Sequence, residues 1–248
     1  MQAGAALHGQ KTTSHTWRVC TNTMQVFDQS MGELTHPNFG ANIMITLANN
    51  ARRQSEREAR SREAPILEDL PDLPGIICAM ELAPGLKEHL GGLANLLLTD
   101  PFPGATVSRA ERELLATAVS AENACFFCAD SHSAVAAALM RRDGMVDPAV
   151  IANSVASGSA AALSSKMAAL REIAVTVAAD ARRLRAEHAT QALAAGASSG
   201  DVKLAILIAS AFCMYNRMVD GLKAKTFADP KIYEGRASQL AEMGYRRG

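Results

Sequence analysis

From Pro65 onward the chain carries helix punctuation and no strand pattern, which confines it to an all-α fold. Ser108-Arg109-Ala110-Glu111 sets serine at a helix cap and glutamate at the third helical position, where each side chain satisfies a backbone N–H of the other's turn. Asp147-Pro148 opens another helix with proline at its first position, where the missing N–H costs nothing. Gly196 marks a helix stop. Aromatic residues are only 4% of the chain and alanine is abundant, which favours helix over sheet. The spacing predicts helices over 76–81, 85–98, from Ser108, from Asn123 to about Met140, from Asp147, and over 164–185, 187–195, 201–222 and 229–244. Ser108-x-x-Glu111…Leu114…Ser120 is echoed by Ser198-x-x-Asp201…Leu204…Ser210, as two related helical-hairpin halves would be.

Residues 1–64 read as a separate N-terminal extension, poorly ordered or partly helical, ahead of a helical domain over 65–248. Residues 1–40 are polar without a sustained period. The mixed-charge run Arg52–Arg60 reads as a solvated or frayed helix. Met24, Met31 and Met44 are alternative starts. The formal net charge is zero, so nothing electrostatic argues for nucleic acid or an acidic membrane as partner. No run reaches membrane-spanning length, the first residues do not read as a signal peptide, and the expected compartment is the cytoplasm.

Among the 5 cysteines only Cys125 and Cys128 are close in sequence, in a C-x-x-C followed by His132. On a helix these positions share one face. Two thiols one turn apart can close a disulfide, and an imidazole one turn further can take a proton from the second. The thiolate is the reactive form, and a helix start with a neighbouring base favours it. In a reducing compartment such a pair means redox or metal chemistry rather than a structural bridge. Glu113 lies on the preceding helix; antiparallel packing would bring it beside Cys128 and His132, and otherwise it is a solvated glutamate. Cys78 and Cys213 sit in apolar contexts and read as small buried side chains. His89 and His188 read as surface residues. Asn216, Arg217 and Asp220, polar on an apolar helix, read as a buried network that pins it.

Zinc could be held by Cys125, Cys128, His132 and Glu113, but no second Cys/His pair accompanies them, and no metal or other cofactor is expected. Haem attachment would need histidine where Ala129 stands. A redox sensor without catalysis is a further alternative.

The segment Glu113…Cys125-x-x-Cys128-x-x-x-His132, with Ser120 and Asn123 ahead of it, resembles the alkyl hydroperoxidase D (AhpD-like) branch of the carboxymuconolactone decarboxylase superfamily, most closely its peroxidase-related subgroup. Ser108–Glu113 and the late block Asn216-Arg217…Asp220-Gly221-Leu222 match that subgroup as well, and the likeness spans roughly Pro65 to Tyr245. The resemblance implies an all-α trimer or hexamer that reduces hydroperoxides in antioxidant defence and is re-reduced by an external dithiol. It implies Cys128 as the peroxidatic thiol, Cys125 as the resolving thiol, His132 as base and Glu113 as the end of a proton relay. A decarboxylase activity occurs elsewhere in the superfamily, but the paired cysteines argue against it here. One departure concerns Phe127, where the best-studied members carry a second histidine. Helix 204–212 is apolar on more than one face, which also points to a homo-oligomer; a monomeric mass by light scattering would refute that. The sequence leaves an argument for each cysteine as the attacking one: His132 is nearer Cys128, while Cys125 is nearer the helix start.

Overall fold

The computed structural model describes residues 51–245. The polar tail with His8, His15, Cys20 and His36 lies outside the described residues. Among the described residues there is no strand, and a single parallel bridge joins Pro74 to Lys225. The helices, in chain order, are α1 over 51–61, α2 Ile76–Met80, α3 Leu86–Leu98, α4 Arg109–Glu122, α5 Phe126–Arg142, α6 Pro148–Ala156, α7 Ser165–Asp180, α8 Ala186–Ala194, α9 Ser199–Gly221 and α10 Glu234–Met243. Short 3₁₀ turns at Ala181–Arg183 and Pro230–Tyr233 end α7 and lead into α10.

The helix starts follow the predicted chemistry. Ser108 accepts from the Glu111 N–H while Glu111 accepts from the Ser108 N–H, a reciprocal box at the head of α4. Ser198 and Asp201 build the same box on α9. These two caps are tied together. Asp201 accepts from the Thr106 N–H at 2.6 Å, the Thr106 hydroxyl at 2.7 Å and the Val107 N–H at 2.9 Å. Ser198 donates to the Gly104 carbonyl at 2.6 Å. Burial alone would raise the Asp201 carboxyl, but the donors from Ser198, Thr106 and Val107 outweigh it and draw it down to about 2.

α4, α5, α7 and α9 supply the core. Leu115, Val119, Leu139, Leu170, Ile173, Leu204, Ile208 and Phe212 are all buried there. Full burial of each such side chain contributes about 1.5–3 kcal/mol before chain entropy is counted. α9 is the one described helix long and apolar enough to cross a membrane, a length the sequence reading did not recognise. Half of its most apolar window is buried inside the domain, where Leu204, Ala205, Ile208 and Phe212 form part of the core.

Two readings change on contact with the structure. Asn123 does not cap the cysteine-bearing helix. It is the C-cap residue of α4, and Cys125 occupies the N-cap of α5. Between them Ala124 takes a left-handed turn at φ 56°, which makes the α4–α5 connection tight. The charged run in α1 is not merely solvated. Arg57 grips Asp130 of α5 through two bonds, Nε to Oδ2 at 2.7 Å and Nη2 to Oδ1 at 2.8 Å. Arg53 and Arg57 also lie over the Phe126 ring, at 5.6 and 5.3 Å from its centre. The packed unit thus begins ahead of Pro65.

Candidate functional site: a buried dithiol beside a hydrogen-bonded histidine

The tight α4–α5 turn sends the two helices back along each other, so residues at similar distances from the turn face one another. Glu113 of α4 therefore meets His132 of α5, with His132 Nδ1 to Glu113 Oε2 at 2.7 Å. Glu113 is completely buried, and the solvated reading of it does not hold. The four residues singled out by spacing are gathered in one region: Cys125 at the helix cap, Cys128 one turn in, His132 one turn beyond, and Glu113 behind the imidazole.

Tyr245 joins this hydrogen-bonded group and was missed in the sequence. Its hydroxyl donates to Glu113, with Oε1 at 2.9 Å and Oε2 at 3.0 Å, and lies 3.2 Å from His132 Nδ1. Burial pushes the Tyr245 phenol well up, and the neighbouring Glu113 charge adds to the effect, so the phenol stays protonated and acts as donor. Its seat is built by α10 and α3. Arg109 donates to the carbonyls of Ala241 and Leu240 at 2.8 and 3.2 Å. The Tyr245 N–H donates to Asn95 Oδ1 at 3.0 Å. Gly244 turns at φ 74°, and a Cβ there would press into the same Asn95 oxygen. The only advance signal for Tyr245 was an aromatic residue at the far end of a chain poor in them.

The His132 ring is fixed on two sides. It meets the Phe212 ring edge-on at 4.6 Å and stacks near Tyr245 at 5.8 Å. Phe127 stands where a second histidine was noted as absent. It packs edge-on to Tyr233 at 5.4 Å and lies directly against Gly75. Gly75 has φ 53°, and a Cβ there would run into the Phe127 ring. Phe127 is thus a wall of the site.

A cavity of about 190 Å³ opens onto this wall. Cys128, His132 and Tyr245 line it together with Phe127, Phe212 and Tyr233. Cys125 does not line it. Both sulfurs are deeply buried, with 0% exposure for Cys125 and 2% for Cys128, and both are free thiols. The Cys125 thiol is pushed well up, first by its hydrogen bond with Cys128, then by burial, with the Cys128 and Asp220 charges adding. Its place at the helix start does not offset these effects.

The polar residues of late α9 divide. Asn216 forms the expected buried network: it accepts from Asn123 at 2.8 Å and donates to Ser120 at 3.1 Å. Ser120 in turn accepts the Cys125 N–H through its carbonyl at 2.9 Å, so the network holds the turn that presents Cys125. Arg217 is exposed and bonds its own helix at the Cys213 carbonyl. Asp220 is only part-buried and lies 3.9 Å from Arg60 Nη2 through Oδ1. Cys78 is buried beside the dithiol, and Cys213 is half-buried. His89 is exposed and His188 half-buried. Among the described residues no group of three or more His, Cys, Asp or Glu side chains is placed to hold a metal ion.

Comparisons with known proteins bear on the motif's sequence and on the fold. Residues 84–172, which contain Glu113, Cys125, Cys128 and His132, match the carboxymuconolactone decarboxylase family. No curated protein shows significant similarity to the chain. Among solved structures, an uncharacterized peroxidase-related protein from Silicibacter sp. TM1040 is 19% identical with a TM-score of 0.55, covering 71% of this chain and 94% of its own. The alkylhydroperoxidase AhpD core of an uncharacterized peroxidase-related protein from Ralstonia eutropha JMP134 is 17% identical with a TM-score of 0.56, covering 72% of this chain and 96% of its own. At such identities the structural likeness speaks for the fold. The stretch 84–172 is thus similar to the carboxymuconolactone decarboxylase family, and the chain shares the helical fold of these two peroxidase-related structures.

Proposed function

We propose that this protein is a dithiol peroxidase that reduces small hydroperoxides at Cys128. The observation that carries the reading is the asymmetry of the pair. Cys128 and His132 both line the cavity, while Cys125 does not line it and sits one turn away at the helix cap. A peroxide in the cavity meets one sulfur only. His132, oriented by Glu113 and Tyr245, takes the proton from Cys128. The thiolate attacks the distal peroxide oxygen; the O–O bond breaks, the sulfur is oxidised to sulfenic acid, and the alcohol leaves after receiving a proton from His132. Cys125 then attacks the Cys128 sulfur, an S–S bond forms, and the sulfenic oxygen leaves as water. An external dithiol restores both thiols by exchange. Because the resolving thiol is already one turn away, this second step needs no diffusional encounter.

The test is a pair of single variants treated with hydroperoxide and a sulfenic-acid trap, read by mass spectrometry. Cys125→Ser should accumulate trapped sulfenate on Cys128, and Cys128→Ser should consume almost no peroxide. The opposite pattern exchanges the two roles, and no oxidation of either cysteine removes the peroxidase reading.

A further inference from the structure

The chain is poor in aromatic residues, yet it gathers them in one place. It has 3 tyrosines and 7 phenylalanines. All three tyrosines, Tyr215, Tyr233 and Tyr245, line the cavity beside Cys128, and Phe127, Phe212 and Phe227 line it with them. They come from α5, from α9, from the Pro230–Tyr233 turn and from the segments after α9 and α10, so the packing of no single helix accounts for the gathering.

The rings hold one another in fixed orientations. Phe227 meets Tyr233 edge-on at 5.8 Å, as Phe127 does at 5.4 Å, and Phe212 meets Tyr215 edge-on at 5.4 Å. Two of the phenol groups are already engaged with the protein. Tyr215 donates to the Leu90 carbonyl at 2.9 Å, and Tyr245 donates to Glu113. What these two side chains offer an occupant is therefore carbon surface. The charged lining residues keep contact with solvent: Glu81 and Lys87 form a part-exposed ion pair at 3.6 Å, and Arg236 is half-buried.

Size decides among apolar occupants. An apolar-walled cavity of about 150 Å³ holds one benzene ring. The cavity here is about 190 Å³, room for one ring on a short branched carbon and too little for a long acyl chain. Hydrogen peroxide fits, but it buries no apolar surface against these walls.

We propose that the cavity is shaped for a compact aryl hydroperoxide: a single aromatic ring on a short branched carbon that carries the O–OH group. This rests on the dithiol peroxidase reading above and names the substrate class of the same site. The ring lies against the fixed aromatic side chains, and the O–OH group is brought to Cys128 and His132. The distal oxygen passes to the Cys128 sulfur as the O–O bond breaks. The sulfur is oxidised, the peroxide is reduced, and the ring-bearing alcohol leaves with the proton that His132 took from Cys128. Full burial of a phenyl group is worth about ten- to a hundredfold in kcat/KM over an otherwise equal substrate without it.

Steady-state peroxide consumption should therefore rank cumene hydroperoxide above tert-butyl hydroperoxide by about tenfold or more. The two share a tertiary carbon and differ by a ring in place of a methyl group. Hydrogen peroxide and linoleic acid hydroperoxide should both fall below cumene hydroperoxide. In Phe227→Ala the ratio of cumene to tert-butyl hydroperoxide should drop by about threefold or more. Loss of folded protein would lower both rates and leave that ratio where it is. Occupancy is read without peroxide. Met80 is the one described methionine on the cavity lining. In protein labelled with ¹³C at the methionine methyls, the product alcohol 2-phenyl-2-propanol should move the Met80 signal, assigned with Met80→Leu, by its ring current, and tert-butanol should move it far less. Equal kcat/KM for the two tertiary hydroperoxides overturns the inference, and so does a Met80 signal that 2-phenyl-2-propanol leaves in place. Linoleic acid hydroperoxide as the best substrate overturns it as well. A protein that shows the Met80 shift but consumes no hydroperoxide loses the peroxidase reading and keeps the cavity as a site for a small ring-bearing ligand.

Discussion

At the scale of the residue, the site is a set of hydrogen bonds laid around two sulfurs. Cys125, Cys128 and His132 were legible because helical periodicity puts them on one face, and Glu113 because a tight turn between helices sets a meeting point at similar distances on each side. Tyr245 was not legible. It reaches the site from far along the chain, and nothing in its local sequence distinguishes a phenol that will be folded against Glu113 and His132 from one that will not. The relay has graded parts. His132→Gln should slow peroxide consumption by about a hundredfold or more, as loss of a general base does. Tyr245→Phe removes one donor to Glu113 and should cost about tenfold, the worth of one hydrogen bond to a charged group. Stopped-flow peroxide consumption with saturating reductant separates the two. A Tyr245→Phe rate equal to wild type would mean the ring only fills space.

At the scale of the element, helix starts were the most legible part of the chain, because a cap is a local bargain between a side chain and its own backbone. Ser108 and Ser198 both announced their helices. What no local pattern could show is that Asp201 reaches beyond its own helix to Thr106 and Val107, and so clamps the head of α4 to the head of α9. Asn123 misled for a related reason. Its side chain had a better partner in Asn216, and the left-handed turn at Ala124 gave the cap position to Cys125. The Asp201 clamp has a pH signature. Its folded value, about 2, lies below the ordinary 3.8, so its contribution is fully present above about pH 5 and is lost as the pH falls through the folded value. That difference is worth about 2 kcal/mol. Asp201→Asn should lower stability by about that amount at neutral pH. The difference from wild type should shrink between about pH 4 and pH 2 in urea unfolding. A constant difference across that window would show that shape, not charge, holds the clamp.

At the scale of the whole molecule, α1 belongs to the packed unit although its composition reads as surface. Charge runs are usually solvated, and only the fold reveals that Arg57 closes on Asp130, a carboxylate whose side chain is 4% exposed. Burial still holds the Asp130 carboxyl above its usual range against the pull of Arg57, a sign of how dry the position is. Arg57→Ala should therefore destabilise the protein by about 3–5 kcal/mol, because it strands a buried charge. Removing the acid as well, in Arg57→Ala with Asp130→Ala, should recover a measurable part of that loss in thermal or urea unfolding. The burial of the two sulfurs has a consequence of its own for turnover. A cavity of about 190 Å³ admits a small peroxide, but a sulfur with 2% exposure is out of reach of a protein-sized thiol docking from outside. Oxidation and re-reduction at this centre would then have different size limits. The first can run with the walls in place. The second needs either a reductant slim enough to enter or a moment when the Pro230–Tyr233 turn and Phe127 part, and the pace of that opening would set how quickly an oxidised pair is restored.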